Sequence, residues 1–490
     1  MTTTKTKKTF AAFFAAAAAA VSLSAAAQIP NPTVTGPIAS SAIPGATSRD
    51  YVFFASDHPL TVNGYVEEEF FIEGTANRYN TPALATGSIL SSGHAYKTRI
   101  VVRRPASAAK FNGTVLVEWY NVTNGFDAEN LWFFGWEHIL RSGYAWVGVS
   151  AQRVGVDRLK TWSPARYGTL DVTEGGTITN DALSYDIFSQ AAQAIARPGS
   201  VDVLGGLRPK LLIATGESQS AQRLATYLNS VAPLGTPYHA AYLLSNFGQQ
   251  IRPDVVMPTF KTLFEWDLET GEAALRQPDS QNYHSWEVAG TAHVDHHLRL
   301  TREPLELRDL LVSSEANLAP TCTNPTIGSR VPNHYVVAAA IDSLVRWKAH
   351  RKTPPVSPRM EIASFGPGNQ AQIARDSFDL AKGAIRLSQI AVPTAKNVGE
   401  NTGGGACARW GYHQPFDLAT LRSLYRSHGD YVEDVVRVTR NNLKRGFITK
   451  PDAVATVLEA LSTRVGDQGR RGWFDWQRDH DFRHDDDDDD

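Results

Sequence analysis

The chain is poor in sulfur, in clustered positive charge and in long apolar runs. It has 490 residues but only two cysteines and three methionines. Three of its lysines lie within the first eight residues, six aspartates end the chain, and the charges between these ends nearly cancel. A nucleic-acid-binding protein needs a strongly basic face, and no block of lysine and arginine builds one here. We therefore expect no nucleic-acid partner.

The one long apolar run lies at the start of the chain. "AAFFAAAAAAVSLS" follows the first lysines, and Ala25-Ala26-Ala27 then offers a small-residue cleavage site. This layout is typical of a secretory signal peptide, and the run is shorter than the roughly 20 residues of a bilayer-spanning helix. We expect residues 1–27 to be removed, leaving a secreted or periplasmic protein without a membrane span. A retained membrane anchor is the alternative.

The two cysteines are Cys322 and Cys407. An even number of cysteines in an exported chain favours a disulfide. Since the two residues lie far apart, a bridge would close a long loop and stabilise the fold by on the order of 4 kcal/mol in the chain-entropy model. Two free buried thiols are the alternative.

The middle of the chain alternates apolar strands with helical stretches, within ordinary globular contents of 42% hydrophobic and 20% charged residues. "YVEEEFFIEGTANRY" and "YKTRIVVRR" predict opening antiparallel strands. "GTVLVEWYNV", "YAWVGVSA" and "KLLIATG" are continuous apolar runs, typical of strands buried on both faces of a parallel sheet. Because helical stretches separate them, the pattern predicts an α/β fold with crossover helices.

Three regions follow the signal peptide. We expect residues 28–300 to form the α/β core and residues 301–470 to form a C-terminal helical extension that packs on the core as a cover. The extension has one clear helix, "HYVVAAAIDSLVRWKAHR", and two closing helical stretches, the first broken at Gly429. Residues 471–490 form an acidic tail, which we expect to be disordered because its aspartates repel one another.

A candidate nucleophile lies between an apolar strand and a helix, in "LLIATGESQSAQRLATYL". Residues 216–220, GESQS, nearly match the G-x-S-x-G elbow, in which a serine stands on a tight turn and the next backbone N–H faces the reacting carbonyl. Ser220 replaces the last glycine and is small enough for the close strand–helix contact. The pattern predicts Ser218 as nucleophile and Gln219 as an oxyanion donor. An ordinary strand-to-helix turn is the alternative.

The acid and the histidine must follow this serine in that order. "FKTLFEWD" ends a strand with Glu265 and Asp267, and "SWEVAGTAH" ends another with His293. We expect His293 to take and return the serine proton while an acid orients its ring. The spacing from the start of the strand favours Asp267, with Glu265 kept as the alternative acid. Asn121, in the loop after "VLVEW", is the expected second oxyanion donor.

The motif "HVDHH", which begins at His293, is a weak candidate for a metal site. Zinc usually takes ligands from two or more separated chain segments, and no matching histidine or glutamate motif is present. We therefore expect no metal and no organic cofactor.

Five stretches, "VLVEWYNVTNGFD", "GYAWVGVSAQRVGV", "GESQSA", "WEVAGTAHVD" and "AIRLSQIAVPTA", together resemble the exported α/β-hydrolase-domain proteins of bacteria. The resemblance implies an α/β-hydrolase fold, with a mostly parallel central sheet and flanking helices, and a serine esterase-type site with Ser218 and His293. We expect a hydrolase of small-molecule or polymer carboxylic esters that works through an acyl-enzyme. Amide or lactone hydrolysis, acyl transfer, and a non-catalytic exported binding protein are the alternatives.

Overall fold

A nine-stranded sheet forms the centre of the molecule, accompanied by two small two-stranded sheets. The computed structural model describes residues 1–2, 29–313, 321–326, 328–404 and 406–467. The strands are β1 (Thr33–Thr35), β2 (Tyr65–Asn80), β3 (Ser88–Pro105), β4 (Thr114–Trp119), β5 (Ala145–Val149), β6 (Leu211–Glu217), β7 (Ala240–Leu244), β8 (Thr259–Leu263), β9 (Tyr283–Glu287), β10 (Ile362–Phe365), β11 (Ala371–Ile373), β12 (Ala395–Val398) and β13 (Tyr412–Pro415).

The order in the central sheet is β1-β2-β3-β5-β4-β6-β7-β8-β9. The first three strands are antiparallel neighbours, and β3 also pairs antiparallel with β5. From β5 to β9 every neighbouring pair is parallel. Strands β4, β5, β7, β8 and β9 are buried along their whole length, as expected for a parallel sheet covered on both faces. The predicted mostly parallel α/β sheet is confirmed.

Twelve α-helical segments accompany these strands in the part of the chain that the structure describes. They are α1 (Asn130–Ser142), α2 (Arg153–Trp162), α3 (Pro164–Tyr167), α4 (Ser184–Ala196), α5 (Gln219–Thr226), α6 (Glu265–Glu269), α7 (His296–Leu310), α8 (Asn333–His350), α9 (Ser388–Ala391), α10 (Leu418–Leu424), α11 (His428–Arg445) and α12 (Lys450–Ser462). Helices α1, α5 and α8 pack directly on the parallel strands. Because these strands run parallel, their carboxyl ends meet at one edge of the sheet, where their connecting loops converge.

The region 301–470 differs in two respects from the expected helical extension. It includes the antiparallel pairs β10–β11 and β12–β13 as well as helices. Its first closing stretch breaks between α10 and α11, before Gly429, which lies in the first turn of α11. The Ser427 side chain accepts a hydrogen bond from the Asp430 N–H and so caps α11. A serine cap starts a helix effectively, and this explains why the break precedes the glycine.

Cys322 and Cys407 form a disulfide with an S–S distance of 2.03 Å. Apart from residues 1 and 2, the predicted signal peptide lies outside the described residues, and so does the acidic tail. Among the residues that are described, every helix is too short or too polar to cross a lipid bilayer.

Candidate active site

Ser218 stands on the turn between β6 and α5. Its backbone has φ 54° and ψ −118°, a left-handed φ that a non-glycine residue adopts only under strain. Such a strained strand-to-helix turn is typical of a nucleophile elbow. Gly216 is needed just before it, because a Cβ at this position would lie 2.8 Å from the carbonyl oxygen of Ser220.

The Ser220 hydroxyl takes an active part in this turn. It donates to the Glu217 carbonyl oxygen at 3.0 Å and accepts from the Glu217 N–H, also at 3.0 Å. The side chain is fully buried. A serine in place of the last glycine of the motif therefore fits the close contact and adds two hydrogen bonds that close the turn.

Three side chains form a hydrogen-bonded path at the carboxyl edge of the sheet. Ser218 Oγ lies 2.8 Å from His293 Nε2, and His293 Nδ1 lies 2.9 Å from Asp267 Oδ1. Ser218 follows β6, Asp267 lies in α6 just after β8, and His293 follows the turn after β9. Parallel strands bring these three ends together. The relative exposures of Ser218, His293 and Asp267 are 8%, 3% and 0%, so only the serine end of the path approaches solvent.

Glu265, the alternative acid, contacts different partners. Its Oε2 accepts the Gly290 N–H at 2.8 Å, and its Oε1 lies 2.6 Å from Nη2 of Arg375. The carboxylate therefore fastens the turn after β9 to the C-terminal region. Of the two acids, it is Asp267 that contacts His293.

Ser245 also joins the path, although the sequence reasoning missed it. This fully buried residue follows β7 with φ 52°. Its Oγ lies 2.6 and 2.7 Å from the two oxygens of Asp267 and 2.7 Å from His293 Nδ1. A hydroxyl has a single proton, so Ser245 donates to the carboxylate and accepts from the imidazole N–H. A serine ending the strand next to β6 was the signal that could have revealed it.

Two aromatic rings hold the imidazole of His293 in place. The Trp266 and Phe247 rings lie 4.5 Å and 5.8 Å from it, centroid to centroid. Trp266 and Phe247 also contact each other edge to face at 5.2 Å. This packing restricts the rotation of the histidine ring.

A second carboxylate, that of Glu217, lies beside the imidazole. Its Oε2 accepts from Nδ2 of Asn130 at 2.6 Å and from Nδ2 of Asn121 at 3.2 Å, and its Oε1 lies 3.5 Å from His293 Nε2. Burial raises the pKa of Glu217, while the nearby histidine and the Asn130 hydrogen bond oppose the rise. When ionised, this carboxylate stabilises a positive charge on the imidazole.

The two expected oxyanion donors differ in whether their N–H groups are available to a substrate oxygen. Gln219 begins α5, where backbone N–H groups have no acceptor inside the helix. Asn121 has committed its donors: its N–H donates to the Ala128 carbonyl at 3.1 Å, and its side-chain amide donates to the backbone and side chain of Glu217. The expectation of Asn121 as second donor is therefore not met, because this residue holds Glu217 instead.

Ser218 and His293 open into a pocket of about 60 Å³. One wall comes from the loop after β4 and from α1, and it includes Asn124 and Asn130. The opposite wall comes from α7 and from the segment that follows Cys407. Its larger side chains are Leu298, Arg302, Arg409 and Trp410. Core and C-terminal region therefore both shape the space around the serine.

The "HVDHH" motif divides among different roles. His293 belongs to the path, Asp295 accepts the Leu298 N–H at 2.8 Å and caps α7, and His297 Nε2 lies 3.6 Å from an oxygen of Glu137. Among the described residues, no group of three or more histidine, cysteine, aspartate or glutamate side chains is arranged to hold a metal ion.

The model of the alpha/beta hydrolase domain family matches residues 34–458, which is most of the chain. The chain belongs to this family. Membership agrees with the sheet order and with the position of the elbow, and it supports hydrolase activity at the level of the family. A search of curated proteins gave no match.

Solved structures of two serine hydrolases and an esterase are similar to parts of this chain. An α/β serine hydrolase without a lid from Xanthomonas campestris is 13% identical, with a TM-score of 0.29 over 49% of this chain and 95% of its own. An α/β serine hydrolase homologue from Coxiella burnetii is 14% identical, with a TM-score of 0.27 over 44% and 91%. A cold-adapted esterase from an Arctic intertidal metagenomic library is 12% identical, with a TM-score of 0.28 over 45% and 84%.

Proposed function

We propose that the protein hydrolyses carboxylic esters, with Ser218 as nucleophile, His293 as general base and acid, and Asp267 as the orienting acid. The observation that carries this proposal is the hydrogen-bonded path from Asp267 Oδ1 through both ring nitrogens of His293 to Ser218 Oγ, with distances of 2.9 and 2.8 Å. Nucleophile, base and orienting acid within hydrogen-bond reach are the elements of acyl-transfer chemistry.

The reaction proceeds through an acyl-enzyme. Ser218 Oγ attacks the acyl carbon while His293 Nε2 takes the serine proton. The resulting tetrahedral intermediate collapses, its C–O bond breaks, and His293 returns the proton to the leaving alcohol. Water then attacks the acyl-Ser218 ester with His293 again acting as base, and the acid and free serine are released.

Nearby groups stabilise the charges that develop on the imidazole and on the oxyanion during the reaction. Asp267 holds the proton on Nδ1 and stabilises the imidazolium, and Glu217, 3.5 Å from Nε2, adds a second negative charge. The Gln219 N–H serves the oxyanion from the start of α5, where the helix dipole also favours negative charge.

A fluorophosphonate probe tests this assignment. Wild-type protein should be labelled covalently, and Ser218→Ala should not, because the reacting oxygen is gone. The matched control is Ser220→Gly, which restores the usual elbow motif and should still be labelled. Continued labelling of Ser218→Ala would overturn the proposal. Short-chain p-nitrophenyl esters, a lactone and an anilide, assayed side by side, then separate ester hydrolysis from its alternatives on the same fold.

We also propose that the C-terminal region, residues 301–470, covers the active site. The support comes from Arg302 of α7 and from Arg409 and Trp410, which line the pocket opposite the core residues. Ala406→Trp, which adds bulk to this wall of the pocket, should therefore lower kcat/KM in a protein that keeps the wild-type Tm, and unchanged kcat/KM would contradict the proposal.

Export to the periplasm or beyond is a further proposal, supported by the signal-like N-terminal sequence and by the Cys322–Cys407 disulfide. N-terminal sequencing of the protein from a periplasmic or culture fraction should begin at Gln28. A mature chain that begins at the first residues would contradict it.

A further inference from the structure

Arg409 lines the pocket that holds Ser218, and its guanidinium is half-buried. Within the described part of the chain, no side chain forms a hydrogen bond or an ion pair with this group. The buried arginines that the structure describes are paired, as Arg99 is with Glu69 at 3.0 Å. Arg78 and Arg158 are half-buried like Arg409 and also have no ion-pair partner among the described residues, but neither lines the pocket of Ser218. Because Arg409 is half-exposed inside this pocket, its guanidinium N–H groups are open to a ligand that enters the pocket.

The nearby charges do not provide the missing partner. Glu217 attracts Arg409 electrostatically, but its carboxylate accepts hydrogen bonds from Asn130 and Asn121 and forms no ion pair with the guanidinium. Arg302, the other arginine in the pocket wall, lies 3.1 Å from an oxygen of Glu306. Burial lowers the pKa of Arg409 and Glu217 opposes that effect; the guanidinium stays charged, as arginine does in proteins.

The position of Arg409 is fixed relative to the reacting groups. Its carbonyl oxygen accepts the Val294 N–H at 2.9 Å, and Val294 is the residue next to His293. The Trp410 carbonyl accepts a further backbone hydrogen bond at 3.2 Å, and Cys407 is bridged to Cys322. A covalent bridge and backbone hydrogen bonds thus hold a cation without an ion-pair partner in the described chain in the wall of the active-site pocket.

We propose that the substrate is an ester that bears a carboxylate, and that this carboxylate pairs with Arg409. The inference rests on the proposed ester hydrolysis and adds the substrate class. A guanidinium presents two parallel N–H groups that match a carboxylate, and this pairing would satisfy the group left unpartnered in the free protein. Because Arg409 and Ser218 line the same pocket, the carboxylate lies a short chain away from the scissile carbonyl.

Two pairs of esters test whether the substrate carries a carboxylate and whether that carboxylate lies on the acyl or the alcohol side of the ester. Mono-4-nitrophenyl glutarate and 4-nitrophenyl pentanoate differ by a carboxylate on the acyl side. 3-Acetoxypropanoate and propyl acetate differ by a carboxylate on the alcohol side. In at least one pair, wild-type protein should have a higher kcat/KM for the anionic ester. Arg409→Gln should lower that anionic-to-neutral ratio by at least about tenfold, and Arg409→Lys should restore part of it.

The matched control is Arg426→Gln, which removes a guanidinium whose side chain is 90% exposed and paired with Asp430. It should leave the ratio as in wild type. A ratio that Arg409→Gln does not change overturns the inference. So does an equal loss on both esters of a pair, because Arg409 would then act on the reaction itself.

Glutarate binding to Ser218→Ala, followed by calorimetry, tests the inference without turnover. Adding Arg409→Gln should weaken that binding by at least about tenfold, and unchanged binding would overturn the inference. If the proposed ester hydrolysis itself is wrong, wild-type protein will neither react with the fluorophosphonate nor cleave any ester. That outcome is distinct from a missing preference for anionic esters.

Discussion

At the scale of single residues, the Ser245 hydroxyl contacts both the acid and the histidine. It lies 2.6 Å from Asp267 Oδ1 and 2.7 Å from His293 Nδ1, so it fixes their relative orientation without touching Ser218. We expect Ser245→Ala to lower kcat by about tenfold and to leave KM nearly unchanged, because the lost hydrogen bonds matter most when the imidazole is charged.

The control for this variant is Ser230→Ala, which removes another buried hydroxyl, one that donates to Pro82 away from the site. Steady-state kinetics with a p-nitrophenyl ester measures both variants. An equal loss of kcat in the two would mean that Ser245 has only a structural role.

The two acids of the α6 region should respond differently to substitution. Asp267→Asn should lower kcat by about 10³- to 10⁴-fold, because an amide no longer selects the productive tautomer of His293. Glu265→Gln should instead weaken the contact with Arg375 and lower the free energy of unfolding by about 1–3 kcal/mol, with a far smaller change in kcat. Kinetics and urea unfolding of both variants check this. The reverse pattern would make Glu265 the catalytic acid.

At the scale of elements, the strands of the sheet could be predicted from the sequence where they are buried on both faces. Strands β4, β5 and β6 are continuous apolar runs, and each ends at a turn that the sequence marks with polar or small residues. Since parallel strands place their carboxyl ends at one edge, chain order was enough to predict that Ser218, Asp267 and His293 lie near one another.

Elements beyond α8 were harder to predict. Strands β12 and β13 are four residues each and lie within glycine- and proline-rich sequence, where alternation is too short to stand out. Arg409 follows Cys407 in such a segment, and only the folded chain brings it to Ser218. Asn121 could not be assigned a role for a different reason. The position of its loop was predicted correctly, but its N–H groups donate to Ala128 and Glu217, and the sequence does not show these hydrogen bonds.

The disulfide should affect both stability and catalysis through the segment that it anchors. Cys322→Ser combined with Cys407→Ser removes a bridge between residues 85 positions apart, which contributes on the order of 4 kcal/mol in the chain-entropy model. Because Arg409 and Trp410 follow the bridge directly, we expect KM to rise as well. Urea unfolding and steady-state kinetics measure the two effects. Unchanged KM in the folded variant would show that backbone hydrogen bonds alone hold this wall.

At the scale of the whole molecule, three histidines join regions that are distant in sequence. His58 comes from the segment before β2 and stacks on Trp136 of α1 at 3.8 Å. His297 of α7 stacks on His334 of α8, also at 3.8 Å. Burial lowers the pKa of His58 and of His297 to about 4, and it also lowers the pKa of His334 well below its usual range. The cluster therefore holds core and C-terminal region together in its neutral form.

Acid should weaken this junction. A histidine whose folded pKa lies below its unfolded value of about 6.5 binds more protons when unfolded, so its stabilising effect falls as the pH drops from about 6.5 to 4. Glu137, whose pKa is raised by burial to about 7, faces His297 and acts in the opposite direction over part of that range. Asp295, whose pKa burial also raises to about 7, acts in the same direction as Glu137. The titration of His297 alone should cost on the order of 2 kcal/mol of stability between about pH 7 and about pH 5.

Variants isolate the contribution of the cluster. The drop in Tm between about pH 7 and about pH 5 should be smaller in His297→Gln than in wild type, and larger in Glu137→Gln, because each substitution removes one of the two opposing titrations. His350→Gln, at the exposed end of α8, is the control and should keep the wild-type drop. Differential scanning calorimetry at both pH values measures it. An equal drop in wild type and His297→Gln would mean that acid acts elsewhere, since the neutral stack of His297 on His334 would then carry none of the pH dependence.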